Sequence, residues 1–127
     1  MWTYEQSTGK LSEDGKLVGT GYAGGNIPSN HNPKAVNNPA MQEIHCVGPL
    51  PRGLYTIGTA HNEPTLGPMA MYLQPSVGNT MFGRSGFFMH ADSISHPGQA
   101  SEGCIVMPLN VRQQVATSSD RRLQVIE

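Results

Sequence analysis

The sequence predicts one mainly β domain carrying one or two short helices. Three observations predict it. Gly 15 and Pro 10 together make about a fifth of the 127 residues, without any repeat period, which excludes collagen and indicates a turn-rich chain. Apolar residues fall in short runs cut by Gly, Pro and Asn, the pattern of strands joined by turns. Charged residues are only 13% against 37% hydrophobic, whereas disordered chains are more charged and less apolar. A chain of 127 residues is expected to fold as one domain over residues 1–127, and at that length it hides roughly two-thirds of its surface without needing a disulfide or metal staple.

In order along the chain, residues 2–6 read as a strand and Thr8-Gly9 as the start of a turn. Residues 16–22 read as the next strand, entered through Glu13-Asp14-Gly15, where Asp-Gly is a hairpin signal. Residues 23–39, rich in Gly, Asn, Pro and His, read as a long surface loop, a length at which loops are often functional. Further strands are expected over residues 54–58, after the Pro51-Arg52-Gly53 turn, and over 69–74, 86–90 and 103–107. A last strand over 123–126 would close the sheet. One helix is expected, with Asn110 as N-cap, Gln113 at N3 and Val111 and Val115 one turn apart.

The composition also excludes function classes. Net charge is −1, from 8 basic and 9 acidic residues, and neither sign forms a run. Phosphate neutralisation needs a basic stripe, so no nucleic-acid partner is expected. The longest apolar run, Met69 to Leu73, is far too short to span a bilayer, so no membrane insertion is expected. The opening Met-Trp-Thr-Tyr-Glu has no basic n-region and no apolar h-region. The expectation is a protein made in the cytoplasm without a Sec-type signal peptide, exported by some other route. No His-x₃-His or Cys-x₂-Cys spacing indicates a metal. Gly19-Thr20-Gly21 lacks the trailing Gly of a dinucleotide fingerprint, so no cofactor is expected either. Two cysteines, Cys46 and Cys104, are too few for a disulfide scaffold, although a Cys46–Cys104 bridge stays open as an alternative.

The chemistry-bearing stretch is Gly86-Phe87-Phe88-Met89-His90-Ala91-Asp92, followed after a loop by Ser101-Glu102-Gly103-Cys104-Ile105-Val106. A histidine ends one apolar strand, and a cysteine opens the next. A thiol becomes a strong nucleophile when a nearby base promotes the thiolate. Glycine before the cysteine lets the backbone turn and aim amide N–H groups at a substrate oxygen, as an oxyanion hole requires. The bland alternative is that Cys104 is a small buried hydrophobe and His90 an ordinary satisfied polar group. Arg84 is a candidate to grip a substrate carboxylate bidentately, or else a plain surface arginine. His31, His45, His61 and His96 read as surface or loop residues, with His96 the next candidate base after His90.

Ser101-Glu102-Gly103-Cys104-Ile105, preceded by Phe88-Met89-His90, resembles the active-site signature of L,D-transpeptidases. There a His leads a loop ending in Ser/Thr-His-Gly-Cys, so Glu102 stands where that family has its second His. Gly48-Pro49-Leu50-Pro51-Arg52-Gly53-Leu54-Tyr55-Thr56-Ile57 resembles the same family's Thr-Pro-x-Gly-x-Phe-x-Ile segment. Trp2-Thr3-Tyr4-Glu5-Gln6-Ser7-Thr8-Gly9, with Gly15-Lys16-Leu17 and Gly19-Thr20-Gly21-Tyr22, resembles a compact branch of these enzymes that serves as type VI secretion effectors. The resemblance, over residues 2–107, implies an L,D-transpeptidase-like β-sandwich or barrel. It implies Cys104 as nucleophile and His90 as general base and then acid, oriented by the Ala91 backbone carbonyl, with Asp92 as the alternative orienter. Gly103 and Cys104 N–H are the implied oxyanion donors. Ser101 is expected to bond within the Cys turn and, with Glu102 and Arg84, to be among the substrate-binding residues; Glu102 either meets the cationic amine of diaminopimelate or is a solvated turn carboxylate.

The implied substrate is the peptidoglycan stem peptide of a target bacterium, met in its periplasm. The implied reactions are L,D-carboxypeptidase trimming of tetrapeptide to tripeptide with release of D-Ala, or exchange with a D-amino acid. The rivals are a Cys/His amidase cutting the D-Ala–diaminopimelate cross-link and a non-catalytic secretion-associated binding module. The implied partners are a secretion apparatus and a cognate periplasmic immunity protein that plugs the cleft around His90 and Cys104.

Overall fold

Alternation decides the first strand. In β1 (Trp2–Glu5) the side chains of Trp2 and Tyr4 are buried while Thr3 and Glu5 are only partly covered, the period-2 signature of a sheet with one packed face. The computed structural model describes residues 1–127, and the strands follow as β2 (Lys10–Glu13), β3 (Lys16–Thr20), β4 (Tyr22–Ala23), β5 (Gly53–Ile57), β6 (His61–Glu63), β7 (Gly67–Pro75), β8 (Phe88–His90), β9 (Ile105–Val106) and β10 (Arg122–Ile126), with one helix, α1 (Leu109–Thr117), between the last two. The same alternation buries Tyr55 and Ile57 in β5 and Leu123 and Val125 in β10.

The strands form a single mixed sheet in the order β3-β2-β1-β10-β5-β7-β8-β9-β4, with β6 added alongside β7. Pairing is antiparallel except for β1 with β10 and β8 with β9, which are parallel. The two ends of this path, β3 and β4, are separated in the chain only by Gly21. The chain therefore passes from one end of the path to the other across a single residue. Gly21 sits at the seam, where its N–H donates to Gly9 C=O at 2.8 Å. A Cβ there would run into Val106 C=O and come within 2.9 Å of Met107 Sδ, so only glycine fits.

The mainly β expectation holds, with four differences in detail. Residues 10–13 and 61–63 are strands that the sequence pattern did not announce. The C-terminal strand does not close the sheet but lies inside it, between β1 and β5. The helix starts two residues early. Pro108 occupies the cap position, its C=O accepting from Val111 and Arg112 N–H at 3.1 Å each, and Asn110 makes no cap. Val111 and Val115 do face the core, and burying each contributes roughly 1.5–3 kcal/mol. Finally, residues 23–39 are not simply a surface loop. Three 3₁₀ turns form there, two of them capped by Asn32 and Asn38 ahead of Pro33 and Pro39, and Ala23 to Asn26 and Ala35 are buried. No helix is long and apolar enough to cross a membrane.

Candidate active site

The parallel pair β8–β9 aligns Met89 with Ile105 and His90 with Val106. Met89 and Ile105 point into the core and are fully buried, so Phe88, His90 and Cys104, one step off that register, face the other way. They line a cavity of about 650 Å³ together with the loop at Cys46, the Arg84 to Phe87 segment and Ser93, Gln99, Ala100 and Glu102. Cys104 is partly exposed, and its Sγ accepts from Phe88 N–H at 3.3 Å. Both cysteines are free, so the alternative of a Cys46–Cys104 bridge is not what the structure shows.

His90 is 2% exposed. Its Nδ1 lies 2.6 Å from Ala91 C=O. A carbonyl can only accept, so Nδ1 carries the proton and Nε2 presents its lone pair. Burial, the largest influence, lowers the imidazole's affinity for a second proton; Ala91 C=O opposes this, and Arg112 reinforces it. Asp92, the alternative orienter, is engaged elsewhere. It accepts from Tyr22 OH at 2.6 Å and from the amides of Ser93 and Gly98, which shapes the loop flanking the cleft. Because folded His90 is harder to protonate than unfolded histidine, its neutral form contributes stability that is complete above about pH 6.5 and lost as pH falls through the folded-state value. The urea midpoint of the wild type is therefore expected to drop as pH is lowered below 6.5, and His90→Gln is expected to flatten that drop.

The thiol departs from the simple expectation of an acidic cysteine. Burial pushes Cys104 up to about 11, Glu102 adds to that, and the Phe88 amide and Arg84 oppose it. At neutral pH the cavity is lined by a thiol and a neutral imidazole, not by a thiolate and an imidazolium.

The turn leading to Cys104 is built around Ser101, which is fully buried. Its Oγ donates to Cys104 C=O at 2.6 Å and accepts from Gly24 N–H at 2.8 Å and Gly103 N–H at 3.1 Å. Ser101 is thus within the Cys turn as expected, yet it has no capacity left to contact a substrate. The expectation for Gly103 also changes, because its N–H is turned onto that hydroxyl and is not free as an oxyanion donor. Of the expected pair only Cys104 N–H remains, lying near its own Sγ. Gly103 is still required as glycine. It has φ +134, and a Cβ would come within 2.6 Å of Arg84 Nη2 and 2.7 Å of Phe87 Cε1.

Arg84 is corrected in both of its expected guises. It is 6% exposed. Nη1 donates to Gln42 and Pro49 C=O and Nη2 to Gly48 and Glu102 C=O, while the guanidinium lies 5.1 Å from the Phe87 ring centre. All four terminal N–H groups are spent, leaving no fork for a substrate carboxylate. Arg84 is a strut that ties the 42–49 segment to the turn that leads to Cys104. Arg84→Ala is expected to cost about 2–4 kcal/mol in urea unfolding, because several buried carbonyls lose their donors together.

Glu102 is exposed at the rim and carries the only carboxylate on the cavity lining. Among the histidines only His45 shares that lining with His90, its Nε2 2.7 Å from Phe82 C=O. His96, expected to be next in line, lies in the loop against Ser95. No group of three or more His, Cys, Asp or Glu side chains is placed to hold a metal ion. The residue that sequence reasoning missed is Phe88, whose contribution is a backbone amide and leaves no trace in side-chain pattern.

The family model described as the Tlde1 domain matches residues 31–126. The chain belongs to the Tlde1 domain family. That makes it a type VI secretion effector of a peptidoglycan-targeting family, with secretion into target cells, a secretion system and a cognate immunity protein as its context. The Tlde1 match includes both strands of the site and the Cys turn, together with the 3₁₀ turns from Pro33 onward. It leaves out β1 to β4, the segment whose resemblance pointed to the effector branch. No curated protein matches the chain.

Proposed function

We propose that this Tlde1 domain is a cysteine acyl-transfer enzyme of the L,D-transpeptidase type that acts on peptidoglycan stem peptides in the target cell's periplasm. The observation that carries the reading is that His90, on β8, and Cys104, at the entry to the parallel strand β9, line one cavity, with His90 Nδ1 fixed on Ala91 C=O and Nε2 left to accept. Cys104 Sγ attacks the carbonyl of residue 3 of the stem as His90 Nε2 takes the thiol proton. The C–S bond forms, the C–N bond to D-Ala breaks, and the imidazolium returns the proton to the leaving amine. Water then resolves the thioester to tripeptide, or a D-amino acid takes the acyl group. The oxyanion is met by Cys104 N–H and by Phe88 N–H, which already points at Sγ. Glu102, at the rim, meets the cationic amine of diaminopimelate. Either outcome depletes the donors for cross-linking.

Purified muropeptides incubated with the wild type beside Cys104→Ala test this. Tripeptide and free D-Ala, or incorporation of an added D-amino acid, support the reading; loss of cross-linked dimers instead supports the amidase. A second reading, a binding module without chemistry, is favoured by the high protonation range of Cys104, which is what burial does to any structural thiol. It predicts no product under any of these conditions.

A further inference from the structure

Two arginines are buried, Arg84 and Arg112, and neither takes part in an ion pair. Arg84 is explained by its four carbonyls. Arg112, on α1, is 4% exposed. Its Nε–H donates to Met107 C=O at 3.0 Å and its Nη1–H to Pro68 C=O. The N–H of the same residue, Met107, donates to His90 C=O at 3.1 Å. One residue's backbone therefore links the guanidinium to the backbone of His90. Packing gives no reason for a charge at this place, since Val111 and Val115 already seat the helix on the core, and a buried charge without a counter-ion is costly.

We propose that Arg112 is a positioning residue for His90, fixing the strand end that bears the imidazole through the Met107 backbone and setting an unpaired guanidinium beside that strand end. The inference rests on the reading of His90 as the proton carrier.

The groups around the imidazole come from every element packed on it. Its own continuation supplies Ala91 C=O and the Asp92 carboxylate, both of which favour the imidazolium. Tyr22 of β4 bonds Asp92 at 2.6 Å. The turn into β9 brings the Cys104 thiol and, at the rim, Glu102. Burial first and Arg112 next oppose the carboxylate and the carbonyl. In the reaction this has two consequences. The resting base is ready to accept the thiol proton, and the imidazolium then formed is a stronger acid toward the leaving amine.

The test is an NMR titration of the full chain with labelled histidines, His90 being assigned from the His90→Gln spectrum, for wild type, Arg112→Gln and Arg112→Lys. The wild-type midpoint is expected below 6.5. Arg112→Gln is expected to raise it by about half a pH unit or more, and Arg112→Lys, which keeps the charge, to leave it near the wild-type value. A folded Arg112→Gln with an unchanged midpoint overturns the proposal. So does a wild-type midpoint at or above 6.5, or a rise in Arg112→Lys, and these two decide the matter if Arg112→Gln fails to fold. In parallel, the acid limb of tripeptide release is expected to move upward in Arg112→Gln along with the midpoint. A wild type that yields no product removes the enzymatic reading, while the titration still judges Arg112.

Discussion

Cys104→Ala is expected to reduce product release from muropeptides by roughly 10⁴-fold or more, to below detection, while the protein stays folded. Cys104 has no substitute nearby: the other cysteine on the cavity lining, Cys46, follows Glu43-Ile44-His45 and has no Ser-x-Gly turn ahead of it. The cost in stability is expected to stay within about 1 kcal/mol. Cys104 is partly exposed, the lost volume is one sulfur, and the Phe88 N–H that loses its acceptor opens onto a cavity where water takes its place. The same pair of proteins carried to the periplasm by a fused Sec leader separates the readings in cells. Wild type is expected to cause swelling or lysis and Cys104→Ala to be harmless, with cytosolic wild type harmless too because the wall lies beyond the inner membrane. A Cys104→Ala protein that trims tetrapeptide at the wild-type rate would remove the nucleophile assignment. Equal toxicity from both compartments would remove the wall as target.

The parts of this molecule that were legible in the sequence are those whose signal is carried by side chains at short range. Strands β1, β5, β7 and β10 announce themselves through alternating or continuous apolar residues, and the helix through Val111 and Val115. Strand β6, His61–Glu63, contains no apolar residue and exists because β7 offers it an edge. Strand β2 has only Leu11 fully buried. Residues 23–26 are buried through their backbone, with Gly24 N–H on Ser101 Oγ and Asn26 N–H on Ser101 C=O at 2.7 Å, and a polar, Gly-rich composition gives no hint of that. At the site, Cys104 and His90 were visible because they are chemically distinctive and lie at strand ends. Arg84 was misread for the opposite reason. Its partners Gln42, Gly48, Pro49 and Glu102 are 18 or more positions away, so only the folded chain shows that the guanidinium is fully occupied. Gly103 was read as having a free amide because nothing in the sequence shows that one hydroxyl, that of Ser101, captures it.

His90→Gln is expected to lower kcat/KM for tetrapeptide trimming by roughly 10²–10⁴-fold, the range for a positioned general acid–base group. Glutamine fills most of the imidazole's volume and can still bond Ala91 C=O, so the loss is of proton transfer and not of packing. The pH profile supplies the second, independent sign. Burial holds the His90 imidazolium below the ordinary value of 6.5, so wild-type kcat/KM is expected to rise with pH along a limb below 6.5. It then stays level through neutrality, because the thiol keeps its proton until about 11 and the reactive state is the neutral pair. An enzyme working instead through a resting thiolate–imidazolium pair would lose activity near neutral pH, as the imidazolium is titrated away. The acid limb is expected to vanish in His90→Gln, whose residual rate follows the small thiolate fraction and climbs steadily toward alkaline pH. Wild-type kinetics in that variant would transfer the base role to His45, the one other histidine on the cavity lining. His45→Gln would then have to abolish activity, although its Nε2 is already held by Phe82 C=O at 2.7 Å.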